Sequence, residues 1–333
     1  MSIYPTQGQS LTRGYATAVL SAAILSTTAI MVRHLTQVYE MPPLVLGFWR
    51  DAFVALTLLP VLGLLHPLLL RVERQDRFYL IVYGLVLAIF NSFWTFSVAL
   101  NGAAISTVLV YCSAAFTVLL GWCFLKEPVG WAKLLAVALS LGGCVLVSGA
   151  LEWAAWRANL VGILTGMVSG LCYAVYSLMG RSASQRGLNP WTTLFYTFGF
   201  AAACLLLFNL VPGGLLPSMS TGPSDVFWLG NALPGWGVLL LLAAGPTLVG
   251  FGLYNVSLGY LPSSVANLIL TLEPAFTAVI AYFLLGERLN GMQLGGTVMI
   301  LVAVGFLRIH EGWLAGQTQS KPRTESGAVS GGR

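Results

Sequence analysis

The chain has 333 residues, of which 57% are hydrophobic and 8% charged, with a net charge of +5. Soluble domains carry about 25% charged residues, so this composition excludes a water-exposed globule and describes an integral membrane protein. The basic residues sit between apolar runs and in the tail, not in a patch with interleaved aromatics, which excludes nucleic acid as a partner.

The opening residues are polar and lead into a full-length apolar run. No short apolar core with a small-residue cleavage site precedes it, so the first segment reads as a retained helix. Crossing a bilayer takes ~20 mostly apolar residues. The runs predict ten helices, at 14–33, 43–65, 78–98, 103–125, 131–150, 159–180, 190–211, 236–258, 263–285 and 291–309. Residues 1–13 form a polar N-terminus, and residues 310–333 read as a disordered polar tail. Ten crossings put both termini on one side. That side collects Arg13, Arg71, Arg74, Arg77, Lys126, Lys133, Arg181, Arg186, Arg308 and the basic residues of the tail, against Arg33, Arg157 and Arg288 opposite. The excess of basic residues places both termini in the cytoplasm.

The segments repeat. Residues 261–289 align without gaps on 101–129, keeping Ala115/Ala275, Phe116/Phe276, Thr117/Thr277, Leu125/Leu285 and Glu127/Glu287. Earlier in each half Gly14/Gly162, Ser21/Ser169, Arg33/Arg181 and Pro43/Pro190 coincide. The expected fold is therefore all-α, with ten transmembrane helices in two five-helix repeats, 14–150 and 159–309. Five is odd, so the second copy enters from the opposite face. Inverted repeats of this kind are an architecture of secondary transporters with a midplane site.

Candidate site residues follow from polarity inside these runs. Glu273, followed by Pro274, is an ionisable group deep in an apolar segment, where charge is costly and marks function by default. At ~100° per residue, Asn267, Thr271, Glu273 and Thr277 share one arc, and their partners Thr107, Tyr111, Ser113 and Thr117 share the matching arc. Two readings stand beside each other, a shared cavity and interhelical hydrogen bonding. Asn91 and Trp94, Tyr254 and Asn255, and Tyr173 and Tyr176 supply aromatic and polar groups suited to a pocket wall; packing or an interfacial belt is the alternative. Arg50-Asp51 is a second intramembrane pair. Adjacent residues do not face each other on a helix, so no internal salt bridge is expected; Arg50 reads as a structural anchor, snorkelling outward or meeting a carboxylate across the bundle, with substrate contact as the alternative. Glu127 and Glu287 end their helices as gating or loop-anchoring groups. Gly142-Gly143 and Gly295-Gly296 suit close packing of the fifth and tenth helices. The cysteines lie inside apolar runs without CxxC spacing, and His34, His66 and His310 stand singly. No metal site, cofactor or catalytic cluster is expected.

Ten helices in two halves, each closing on a helix that ends in Glu, with the second half reading LEPAFTAVIAYFLLGERLNGMQLGG, resemble the EamA family of the drug/metabolite transporter superfamily. Cys112-Ser113-Ala114 and Lys126-Glu127-Pro128 in the first half depart from the Glu-Pro and Gly-Glu pattern. The resemblance implies an inner-membrane permease, often an exporter of amino acids or related metabolites, with a cavity lined by the first four helices of each half. Alternating access around that cavity is the expected mechanism, with Glu273 binding an amine-bearing small-molecule substrate or carrying a coupling proton. A flippase for lipid-linked sugars is the nearest alternative, and a structural or sensory membrane protein is one of another class. Membrane lipid is an expected partner, and both a monomer and a homodimer fit.

Overall fold

The computed structural model describes residues 7–147, 160–210, 223–285 and 291–320, all helical or in the links between helices. The first half holds α1 (Gln7–Leu25), α2 (Thr28–Val38), α3 (Pro43–Leu65), α4 (Arg74–Tyr111), α5 (Ser113–Leu125) and α6 (Trp131–Val147). The second holds α7 (Leu160–Gln185), α8 (Pro190–Asn209), α9 (Leu233–Leu242), α10 (Leu248–Tyr260), α11 (Ser263–Leu270), α12 (Glu273–Leu285) and α13 (Gly291–Ser320). Pro43 and Pro190 open α3 and α8. At that position the missing N–H costs nothing and the ring presets φ. Asn189 caps α8 by accepting from the Trp191 N–H at 2.9 Å. At the C-terminal end α13 runs on to Ser320, past the apolar segment that ends at 309.

The long α4 is not straight. Ser97 Oγ lies 2.8 Å from Ser106 Oγ, whereas nine residues of straight helix would separate them by ~13 Å. Ser97 and Leu109 also both approach Gly166 on α7. The chain therefore doubles back between them, and the third and fourth predicted segments are the two arms.

Helix partners are exchanged between the halves. α1 packs on α10 and α7 on α4, so the first segment of each half meets the third of the other. α3 meets α8, and α6 meets α13. This reciprocity is what a two-copy chain requires. The α6–α13 pair closes on Gly143, where an added Cβ would stand 2.8 Å from the Gly296 carbonyl oxygen. That glycine face is thus used inside the chain. The outward faces stay apolar, with Leu134, Leu135, Val298 and Leu301 exposed.

Six helical stretches among the described residues are long and apolar enough to span a membrane: Leu11–Val38, Pro43–Leu65, Arg74–Trp94, Val161–Gln185, Pro190–Asn209 and Leu233–Tyr260. Shorter apolar helices cover Leu109–Leu125, Trp131–Leu146 and Leu294–His310. With apolar side chains outward and polar ones buried, this is a multi-pass membrane protein.

Lys126 ends α5 in the left-handed region, at φ 53. The repeat aligns it with Gly286, a residue type that adopts this conformation without a Cβ penalty, whereas other L-residues incur about 1–2 kcal/mol. Lys126→Gly is expected to raise the unfolding temperature in detergent by a few degrees. An unchanged or lower transition would show that the lysine side chain offsets the strain.

Candidate functional site

Helix breaks build the site. α1 gives way to α2 at Ser26–Thr27, α4 to α5 at Cys112, and α11 to α12 at Thr271–Leu272. Between α9 and α10 a π-helical turn, Ala243–Thr247, accommodates Pro246. The Cys112 and Leu272 breaks are repeat partners. In the second, Pro274 falls at the second position of the restarted α12, where no intrahelical donor is needed. The first half breaks at the same place with Ser113-Ala114 there, so proline accompanies the break without being its sole cause. Backbone freed at such points needs new partners inside a membrane. The Thr277 hydroxyl donates to the Ser26 carbonyl at 3.1 Å.

A cavity opens where three of these breaks converge, with about 660 Å³ of empty space, part of it open to the exterior. Leu25 and Thr28 flank the first break, Val110 and Tyr111 precede the second, and Glu273 follows the third. Phe90, Tyr173 and Phe251 add aromatic wall, with Phe90 and Tyr173 stacked at 5.0 Å between ring centroids. Asn91, Trp94 and Arg50 complete it. Glu273 is the first residue of α12, so its carboxylate sits at the positive end of a helix dipole. It accepts a hydrogen bond from the Tyr111 hydroxyl at 2.7 Å. The last residue before the break in one half thus meets the first residue after the break in the other.

Arg50 and Asp51 correct the expectation that they would not pair. Arg50 Nε donates to Asp51 Oδ1 at 3.1 Å. Asn91 on α4 closes the group, accepting from Arg50 Nη2 at 2.9 Å and donating to Asp51 Oδ2 at 2.8 Å. The neighbour rule fails because the arginine stem is long enough to bring its guanidinium back to the next residue's carboxylate. The shared Asn91 then fixes both. Asp51 is fully buried, while Arg50 keeps 8% of its surface, at the cavity.

Of the residues read from the sequence, Glu273, Tyr111, Asn91, Trp94, Tyr173 and Arg50 meet at this cavity. Asn267, Ser113 and Tyr254 are not on its wall. They form a buried chain with Ser177: Ser113 Oγ bonds Asn267 Oδ1 at 3.0 Å, Asn267 Nδ2 donates to Ser177 Oγ at 3.0 Å, and the Tyr254 hydroxyl donates to the same oxygen at 2.6 Å. Thr271 and Thr117 bond back to carbonyls of their own segments. The Thr107 side chain and all of Glu287 lie outside the described residues.

Glu127 is bound across the two halves. Its carboxylate accepts from the N–H and hydroxyl of Ser263 at 2.7 and 2.8 Å, and from those of Ser264 at 3.3 and 2.6 Å. A side chain from the end of α5 thereby caps the N-terminus of α11, satisfying donors that a helix start leaves free. Lys133 Nζ donates to Ser264 Oγ and to the Pro128 carbonyl, both at 3.0 Å. Along α11 and α12, from Ser263 through Asn267 to Glu273, the order is cap, buried chain, cavity, over ~15 Å of helix rise.

Several of these features escaped the sequence reading. Phe90, Phe251 and Val110 carry no signal beyond apolarity. Ser26-Thr27-Thr28, three hydroxyl residues together in an apolar run, and Pro246 were the available signs of the other breaks.

The EamA-like transporter family matches residues 12–149 and 160–309, one copy on each half. The chain belongs to that family. Among similar proteins, an uncharacterized transporter of Archaeoglobus fulgidus is 28% identical over 87% of this chain and 94% of its own length. An uncharacterized transporter of Clostridium kluyveri is 25% identical over 87% and 91%. The threonine/homoserine exporter RhtA of Salmonella typhimurium is 24% identical over 75% of this chain and 77% of its own. A solved crystal structure superposes with a TM-score of 0.70 at 16% identity, covering 93% of this chain and 99% of that one. That likeness is one of fold. This EamA-like chain is thus a two-repeat membrane transporter by family.

Proposed function

We propose that this EamA-like protein is a secondary transporter, working as an exporter of small organic metabolites such as amino acids, by alternating access around the Glu273 cavity. The chain crosses the inner membrane ten times in two inverted five-helix repeats, with both termini in the cytoplasm. The observation that carries this reading is the Tyr111–Glu273 hydrogen bond, made between equivalent helix breaks of the two halves at a cavity wall. Discontinuous helices meeting near the midplane are how transporters expose polar groups and helix ends to a solute. Asn91, Trp94, Tyr173 and Arg50 complete the contact surface, and Glu273 receives an amine or carries a coupling proton. Asn267, Thr271, Thr277, Ser113, Thr107 and Tyr254 support the broken helices and the seam between halves. Glu127, and Glu287 at the other repeat end, are gate residues. The excess of basic residues supports a cytoplasmic position for the Glu127 end. The four hydrogen bonds on Glu127 support reading this conformation as outward-leaning, with that side held shut.

The test is counterflow in proteoliposomes with a panel of labelled amino acids and amines, comparing wild type with Thr28→Trp. Thr28 is partly exposed at the cavity wall, so an indole there has room to enter and block the space. Saturable exchange that Thr28→Trp abolishes, in a protein that still unfolds cooperatively, is expected. Exchange unaffected by the block, or no exchange of any panel member, removes the cavity from the transport path.

A further inference from the structure

We propose that a groove between the start of α4 and α8 binds one anionic phospholipid, with Arg71 and Arg77 holding its phosphate and an acyl chain lying between the helices. This goes beyond the transport reading and rests only on the chain being a membrane protein. The groove has about 970 Å³ of empty space, part of it open to the exterior. Local structure brings the two charges to it. The 3-10 turn Pro67–Leu70 leads from α3 toward Arg74, the first residue of α4. That turn is pinned to α8, because the hydroxyls of Thr192 and Tyr196 donate to the Leu69 and Leu70 carbonyls at 2.8 and 2.7 Å. Arg71 is thereby held beside the groove together with Arg77 of the first turn of α4. Leu80 and Ile81 continue one wall, and Tyr196 and Phe200 form the other. Beyond them the helices meet, since a Cβ added at Gly84 would stand 2.9 Å from the Thr197 carbonyl oxygen. The groove thus passes from a basic end to a closed apolar end over ~10 Å of helix rise.

Both guanidinium groups are exposed, and neither has a carboxylate partner among the described residues. The nearby acidic groups are engaged elsewhere and do not line the groove. Asp76 faces Arg186 at 3.9 Å, and Glu73 accepts from the Gln75 amide at 2.6 Å. Arg186 itself lies over the Tyr79 ring, 4.4 Å from its centroid. Arg74, between the two arginines in sequence, is exposed and stands outside the groove. Topology asks only that basic residues lie on one side of the membrane, wherever they point. Here two of three converge on a single apolar groove, which calls for an anion with an apolar body. Guanidinium matches phosphate in shape as well as charge. Anionic headgroups draw basic side chains next to a membrane helix. Ile81 is 45% exposed and Phe78, beside Arg77, 74%, so the surface leading into the groove already meets acyl chains.

The test is native mass spectrometry of the full chain, released from detergent that carries equal amounts of phosphatidylglycerol and phosphatidylcholine with the same acyl chains. Wild type is expected to retain phosphatidylglycerol about ten-fold or more over phosphatidylcholine. Arg71→Gln and Arg77→Gln should each lose about five-fold, and the double variant about 25-fold, the increment of one and two interfacial basic residues. Arg74→Gln makes the same change of charge in the same loop and should lose nothing. Ile81→Trp fills the groove, leaves both arginines in place, and should lose as much as the double variant. All four positions are exposed, so each variant should still unfold cooperatively. Equal retention of the two lipids overturns the assignment. So does an Arg74→Gln loss as large as that of Arg71→Gln, which would make the attraction a diffuse property of the loop. Ile81→Trp with wild-type retention would place the lipid elsewhere. Displacement of the lipid by millimolar glycerol 3-phosphate would give the arginines to a soluble phosphate and overturn it as well. None of these outcomes bears on whether the protein transports.

Discussion

Glu273→Gln is expected to lower substrate flux by about 10–100-fold while the protein still purifies as a folded, cooperatively melting species. Gln keeps the shape and still accepts from the Tyr111 hydroxyl, so the 2.7 Å contact between the halves survives. What disappears is the negative charge at the start of α12. A hydrogen bond to a charged group contributes about 1.5–3 kcal/mol, and each 1.4 kcal/mol is about ten-fold in affinity. If Glu273 binds an ammonium group, the loss falls on substrate affinity throughout the pH range in which the wild-type carboxylate is ionised. Should it carry a coupling proton instead, the variant keeps exchange without a gradient but loses the response to a pH gradient imposed across the liposome. Measuring counterflow and gradient-driven uptake side by side separates the two roles. Unchanged behaviour in both assays would remove Glu273 from the mechanism.

Glu127→Ala carries the second large effect, on conformation more than on chemistry. One carboxylate currently satisfies two backbone N–H groups and two hydroxyls at the buried start of α11. Loss of an N-cap costs about 0.5–2 kcal/mol, and each buried donor left unpaired costs about 1–3 kcal/mol more. A net destabilisation of this closed arrangement by about 2–4 kcal/mol is therefore expected. Opening the seam lets water satisfy the same donors, so the penalty falls on the closed state. A bias of that size moves a two-state equilibrium by roughly 30–1,000-fold. Spin labels at the exposed positions Lys126 and Tyr260, on opposite sides of the seam, should report a longer, broader distance distribution in the variant. Glu127→Gln, which retains an acceptor, should fall between. A distribution identical to wild type would reduce Glu127 to a local cap with no part in access.

The polar stripes predicted on the fourth and ninth segments are real features of the sequence, yet they serve more than one purpose. From each stripe one residue, Tyr111 or Glu273, reaches the cavity. Asn267 and Ser113 instead tie the halves together. Periodicity assigns residues to a face but cannot say how deep along the axis the neighbouring helices part. The helix breaks show the same limit. Pro274 is a local mark of the one after Leu270, whereas the break at Cys112 follows from its place in the repeat and has no proline to mark it. Spacing along their own helix sets Arg50 and Asp51 apart, whereas their pairing is completed by Asn91 from another.

Composition and internal repetition were enough for class, number of units and the residue most worth testing, because membrane solvation and duplication act on the linear order of side chains. Apolar runs, the excess of basic residues on alternate loops and the aligned halves all survive without coordinates. The cavity, the Arg50–Asp51–Asn91 group and the Glu127 cap across the halves arise from contacts between residues distant in the chain. Such contacts depend on interhelical distances and on backbone breaks that release or redirect hydrogen-bonding groups. No local pattern encodes them.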